Sequence, residues 1–301
     1  MTEGAEHFNG RRAQTSDSIS SRTIVDLGAL SHCGKVRSNN EDSFLVARLE
    51  RNLTTLLTNL PGGNVPNLHA EVGYAMLVAD GMGGAVGGQI ASRTAISTLV
   101  DLSIKTPDWI LNLDDTGAEQ VLHRMDDRFA LLKDALTERI RTDPGLAGMG
   151  TTMTAAISLG ADLIIAHVGA SRAYLYTAGR LVHLTKDQTI AQVLADQGVI
   201  STEEVRRHRA RRILTGPITA DGQKAEVELH HLRLTDGDQL LLCSDGLTEM
   251  VNDTEIVAVL KKQKPATESC AALINLALQA GGEDNITVVL ALYQIPAVSN
   301  R

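Results

Sequence analysis

The chain has 301 residues, room for one large domain or two ordinary ones. Hydrophobic residues make up 43% and charged residues 21%, near globular averages, which excludes wholesale disorder and a fibrous repeat. With 28 basic against 36 acidic residues, net −8, and one Trp, four Tyr and three Phe, the chain lacks the basic surface and stacking aromatics of a nucleic-acid binder. A metal or a basic partner suits the charge better. Cys33, Cys243 and Cys270 lie far apart without CxxC spacing, so neither a zinc knuckle nor a disulfide framework is indicated. No apolar run reaches the roughly 18 residues of a membrane span, and the N-terminus lacks an apolar signal core. The expectation is a soluble, cytoplasmic monomer that engages neither membrane nor nucleic acid.

Residues 1–21 hold one Phe among Gly, Ser, Arg and Glu, and read as an unstructured tail. Short Val/Ile/Leu runs predict strands at 23–29, 43–48, 72–79, 152–159, 163–168, 173–177, 181–184, 226–233, 239–243 and 286–293. The turn 177–180 is too short for a crossover and predicts an antiparallel hairpin. Helices are predicted at 86–104 after a glycine cluster, and at 117–141, where Leu122, Met125, Phe129, Leu132, Leu136 and Ile140 form a stripe behind a Thr116/Glu119 capping spacing. Two more follow: 253–262, opened by Asn252 and Glu255, and 266–279, just after Pro265. Strands in bulk with separated helix pairs predict an α+β fold, a layered α-β-β-α sandwich. A single domain over 22–295 is expected, with an insertion at 51–70, a flap-like segment at 189–224 and a terminal tail at 296–301.

The acidic residues fall at strand ends. Asp80 and Asp245 each follow an apolar run and precede glycine, whereas Glu41–Asp42 and Glu283–Asp284 open strands. If the first two strands run antiparallel to the last two, these carboxylates converge on one rim. An isolated Asp-Gly is an ordinary turn, but four acidic strand ends together repel unless a cation binds. An all-oxygen set lacking paired His or Cys suits Mg²⁺ or Mn²⁺ rather than Zn²⁺, and two such ions about 3.5–4 Å apart can activate water at neutral pH. Gly81, Gly83 and Gly84 would let backbone approach an ion.

Taken in order, Gly34-Arg37-Asn40-Glu41-Asp42, Asp80-Gly81-Met82-Gly83-Gly84, Gly150-Thr151-Thr152, Gly169-Ser171-Arg172, Ser244-Asp245-Gly246 and Asp284-Asn285 resemble the signatures of the bacterial metal-dependent Ser/Thr protein phosphatases, type 2C or PPM, across 24–293. The resemblance implies two packed antiparallel sheets flanked by helix pairs. It implies that Asp80 bridges two Mn²⁺ or Mg²⁺ ions, that Gly81 (carbonyl) and Glu41 (through water) serve one, and that Asp245 and Asp284 hold the other. Arg37 would grip the substrate phosphate with its bidentate fork, the alternative being an ion pair with Glu41 or Asp42. Asp42 would orient water, and Asn285 would support its neighbours. The implied partners are proteins carrying phosphoserine and phosphothreonine, the substrates of a bacterial Ser/Thr kinase or that kinase among them.

Three departures stand out. Ala170 replaces the Asp of Gly-Asp-Ser-Arg, Gln188 replaces a His, and Leu146–Met149 offer no carboxylate for a third ion, Asp143 being further back. Ala170 motivates the alternative of a catalytically weakened or silent phosphoprotein-binding regulator; dephosphorylation of anti-anti-sigma proteins is another reading. Arginines 206, 207, 209, 211 and 212 read either as a solvated face or as a basic lip beside the ions. His167 reads as a packed, hydrogen-bonded imidazole.

Overall fold

The computed structural model describes residues 15–17, 19–60, 65–105, 115–220 and 225–297. The chain runs β1 (Thr15–Asp17), α1 (Ile19–Arg22), β2 (Ile24–His32), β3 (Ser43–Thr54), β4 (Leu68–Ala79), β5 (Gly81–Met82), α2 (Gly84–Lys105) and α3 (Asp115–Thr142). It continues through β6 (Gly150–Thr151), β7 (Met153–Leu159), β8 (Asp162–Val168), β9 (Arg172–Thr177), β10 (Arg180–His183), α4 (Ile190–Asp196) and α5 (Thr202–Val205). The last elements are β11 (Ile218–Thr219), β12 (Glu228–Arg233), β13 (Gln239–Cys243), α6 (Asp245–Thr248), α7 (Asp253–Leu260), α8 (Ala266–Gln279) and β14 (Ile286–Gln294).

Period-two alternation builds the layers. β4 turns Leu77 and Ala79 toward α2 and α3, where they meet Ala91, Ala95, Met125, Phe129, Leu132 and Leu136. Its other face sends Met76 and Val78 against Leu175, Leu240, Leu242, Val289 and Ala291 of the second sheet. That sheet in turn presents Leu241, Cys243, Val288 and Leu290 to Ile256, Cys270, Leu273 and Ala277 of α7 and α8. Three buried strata thus separate four layers, helices outside and sheets within, as the sequence predicts. The first sheet is ordered β1-β4-β7-β8-β12 with β3 also on β4, and the second β10-β9-β13-β14-β2; all pairings are antiparallel except β1 on β4. The α3 stripe packs as expected from Met125 onward, whereas Leu122 and the Thr116/Glu119 cap lie outside the described side chains. Both the Ser201/Glu204 and Asn252/Glu255 capping boxes form.

Several expectations need correction. An unstructured tail is expected through residue 21, yet β1 pairs with β4 from Thr15 opposite Leu68, and the buried Ser20 hydroxyl accepts from Val72 N–H at 3.4 Å. Composition misses this segment because backbone pairing rather than apolar surface holds it. The 51–70 insertion is largely more hairpin: β3 and β4 stay in register out to Thr54 opposite Leu68, and Thr55 N–H donates to Asn67 O at 2.9 Å. The charged, exposed residues there carry no alternation to read. A third small sheet, β11-β6-β5, escaped prediction because two-residue strands have no period. Among the described residues the three cysteines are free, and no helix is long and apolar enough to cross a membrane.

Candidate active site

Strand direction delivers the acids. β3 pairs antiparallel with β4, Ser43 opposite Ala79, so the residues entering β3 (Glu41, Asp42) and leaving β4 (Asp80) share an end. β13 pairs antiparallel with β14, Cys243 opposite Val288, which does the same for Asp245 and Asp284. Glu41, Asp80, Gly81, Asp245, Asp284 and Asn285 line one cleft of ≈ 600 Å³ together with Arg37, and Asp42 lies behind it, 7% exposed. A second groove of ≈ 320 Å³ between the β3–β4 face and α2–α3 is mostly aliphatic and touches none of these acids.

The local packing requires glycine. A Cβ on Gly81 would lie 1.9 Å from Gly88 O, so only glycine lets the strand end sit against the first turns of α2. That contact seats α2 beside Glu41: Ser92 Oγ donates to Glu41 O at 2.7 Å and Gln89 Nε2 to Asn40 O at 3.3 Å. Asn285 pins the loop between β2 and β3 at three points, its amide donating to Cys33 O (3.0 Å) and Asn39 O (2.8 Å) while Oδ1 accepts from Glu41 N–H (2.8 Å). Ser244 Oγ donates to Asp42 Oδ2 at 2.7 Å and accepts from Thr287 N–H at 2.9 Å. Asp80 is anchored through its backbone, its N–H on Thr152 Oγ1 and its carbonyl accepting from Thr151 Oγ1 and Thr152 N–H.

Burial and mutual repulsion hold the carboxyls of the cleft above their usual range. Burial pushes the Asp80 carboxyl well above the usual range, with Asp42, Asp245 and Asp284 adding repulsion. Burial and then Asp284 and Glu249 raise Asp245 to about 7. Asp42 is pushed up to about 6 by burial, against the hydrogen bonds from Ser244 and Thr287, and its Oδ1 is buried without a hydrogen-bond partner. Glu41 is raised by burial, opposed by Arg37. A rim of carboxylate oxygens with glycine backbone beside it and an orphaned buried oxygen behind fits a hard divalent cation and not zinc. Among the described residues, however, no three acidic, imidazole or thiol side chains close on a single point. The carboxylates ring the cleft instead.

Arg37 is the main surprise. Its Nη2 donates to Asp284 Oδ2 at 2.8 Å, and this bond raises its pKa further. The sequence alternative placed the pair on Glu41 or Asp42; the actual partner comes from the far end of the chain. Asp143, the remaining acid before Gly-Thr-Thr, instead caps a 3-10 turn by accepting from Gly145 N–H at 3.0 Å and does not line the cleft. Ala170 is 6% exposed and lines the cleft wall. Gln188 holds the adjacent turn: Oε1 accepts from Gly169 N–H at 2.9 Å and Nε2 donates to Glu226 O at 2.9 Å. Nothing in the sequence marks Glu249, which receives two arginines of the 189–224 segment, or the half-buried Arg172–Asp187 pair, 2.6 Å from Nη2 to Oδ2.

His167 is packed as expected, fully buried with Nδ1 on Thr154 Oγ1 (2.9 Å) and Nε2 facing Gly169 O (3.1 Å) and Lys186 O (3.2 Å). Two carbonyls place the proton on Nε2. Burial lowers its pKa, so the imidazole stays neutral in the fold while the unfolded chain protonates near pH 6.5. Its stabilisation is therefore complete above that pH and lost as pH falls below it, at up to about 1.4 kcal/mol per pH unit. The expected result is that the thermal midpoint of wild type drops more between pH 7 and pH 5 than that of His167→Asn; parallel curves would contradict it.

A sequence profile described as protein phosphatase 2C matches residues 67–283. The serine/threonine phosphatase stp of Listeria monocytogenes is 36% identical over 216 residues, covering 71% of this chain and 82% of that protein. The chain belongs to the protein phosphatase 2C family. The serine/threonine protein phosphatase PstP of Mycobacterium tuberculosis is 35% identical over 269 residues, 89% of this chain, but the chain spans only 45% of that relative's length. A crystal structure of the Mycobacterium tuberculosis phosphatase PstP/Ppp superposes with a TM-score of 0.71 at 34% identity, covering 91% of this chain and 99% of that one. A PstP catalytic domain solved in complex with two manganese ions matches with a TM-score of 0.69 at 33% identity, covering 90% and 99%.

Proposed function

We propose that this protein is a phosphoric monoester hydrolase acting on phosphoserine and phosphothreonine in proteins, the products of a bacterial Ser/Thr kinase. In this reading Asp80 bridges two Mn²⁺ or Mg²⁺ ions, the Gly81 carbonyl and Glu41 serve one, and Asp245 and Asp284 the other. The observation that carries it is the meeting, in one cleft, of acidic strand ends from both sheets. Family membership and the two manganese ions of the PstP structure support it. Ions so held lower the pKa of a shared water and neutralise phosphoryl charge.

The chain's own residues do the rest. Arg37, half exposed at the cleft, presents a planar fork to two phosphoryl oxygens and holds the phosphorus in line. Asp42, fixed by Ser244, keeps its free Oδ1 available to orient a water. Asn285 fixes the Glu41 and Asp284 segments relative to each other. Met82, exposed beside the cleft, has no proton to give, so no side-chain acid acts from that position.

The test is hydrolysis of p-nitrophenyl phosphate and of a phosphothreonine peptide with Mn²⁺ and with EDTA. Turnover is expected only with the ion; metal-independent turnover would refute the reading. Arg37→Ala is expected to lower kcat/KM about 10- to 100-fold, the worth of a charged hydrogen bond.

A further inference from the structure

The flap-like segment does not hang free over the cleft. Arg206 Nη2 donates to Thr248 O at 3.1 Å, and Arg211 Nε lies 3.1 Å from Glu249 Oε1. Arg212 puts Nε on Glu249 Oε2 at 2.6 Å and Nη2 on the same oxygen, with Glu283 3.6 Å away. The Glu249 side chain is only 12% exposed, and its N–H donates to Asp245 O at 2.8 Å. Three of the five arginines therefore form a clasp on the turn that carries Asp245, neither a solvated face nor a diffuse lip. Arg212 keeps 35% of its side chain exposed and lines the cleft together with the acids. Neighbouring residues Glu283 and Asp284 each pair with one guanidinium of the cleft, Arg212 and Arg37.

We propose that Arg212, fixed in place by Glu249, is a specificity residue that binds an acidic side chain flanking the phosphorylated residue; this rests on the phosphatase reading above. Two of its N–H groups are committed to Glu249, so it cannot swing to the phosphate position that Arg37 serves. What it presents is a pre-oriented cationic edge at the cleft wall. The other acids of the lining, Glu41, Asp80, Asp245 and Asp284, are those assigned to the ions, and of the two arginines in the lining Arg37 is assigned to the phosphate, which leaves Arg212 to a flanking carboxylate. Glu249 acts as a positioning residue.

Two phosphothreonine peptides, one with Glu on both sides of the phosphorylated residue and one with Gln, would be compared by kcat/KM with Mn²⁺. The Glu peptide should be preferred by about fivefold in wild type, and the preference should fall to about one in Arg212→Gln. Arg212→Lys, which keeps the charge but not the fork, should retain part of it and serves if the first variant is unfolded. A wild-type ratio of one or less, or a ratio that survives both substitutions, overturns the assignment while hydrolysis itself leaves the phosphatase reading standing. If wild type hydrolyses neither peptide nor p-nitrophenyl phosphate, it is that reading that fails.

Discussion

Asp80→Asn is expected to reduce Mn²⁺-supported kcat/KM by at least about 10³-fold while raising the thermal midpoint measured in EDTA by about 2 °C. The loss follows from position: Asp80 is the acid whose carboxyl feels Asp42, Asp245 and Asp284 together, so it sits where a cation gains most from all of them. A thousandfold loss corresponds to about 4 kcal/mol of transition-state stabilisation, the scale expected when an ion is displaced. The gain has the same origin. Removing one negative charge relieves repulsion, and the new amide can donate to Asp42 Oδ1, now buried without a partner. About 1 kcal/mol is a fair expectation for trading a functional charge for a satisfied hydrogen bond. Activity assays with Mn²⁺ and thermal melts with EDTA read the two effects separately. A variant that keeps turnover would show that the ions are held elsewhere.

Gly246→Ala should destabilise the fold by about 3 kcal/mol and weaken metal binding at the same time. A Cβ there would lie 1.9 Å from Asn285 O and 2.9 Å from Asn285 C, backbone atoms that no side-chain rotation can move away. Relief requires the turn carrying Asp245 to part from the strand entry carrying Asp284, and the two carboxylates part with them. Gly216→Ala, where nothing lies within 4 Å of the added atom, is the control and should change stability by less than about 0.5 kcal/mol. Thermal melts and Mn²⁺ titration by calorimetry would check both; equal stability of the two variants would mean that the Asp245–Asp284 spacing is more compliant than the packing indicates.

The acids were legible because each is adjacent in sequence to an apolar run with a clear period, and antiparallel pairing then fixes which ends coincide. Asp80 after β4 and Asp284 before β14 needed only that. Contacts between residues distant in the chain left no such trace. Arg37 pairs with Asp284 and Arg212 with Glu249 because the sheets and the flap bring them together, and nothing local to 37 or 212 marks the partner. The same limit explains the fold's omissions. β1 adheres through backbone groups that any sequence possesses, and β3 runs six residues beyond Arg48, most of them exposed and four of them polar, whose pairing comes from the register already set nearer the core. Glycine at 81 reads as permissive from sequence, but its actual requirement, the approach of Gly88 O, is visible only in three dimensions.

The stratum between the sheets has a consequence of its own. Asp80 and Glu41 hang from one sheet, Asp245 and Asp284 from the other, and Met76, Ala156, Leu175, Leu242 and Ala291 fill the gap. Those aliphatic side chains act as a spacer whose thickness gauges the distance between the two acidic pairs. On the proposed assignment of the acids, enlarging Ala156 or Ala291 would dilate the cleft from behind and shift its preference toward larger ions, with every proposed oxygen donor left in the sequence.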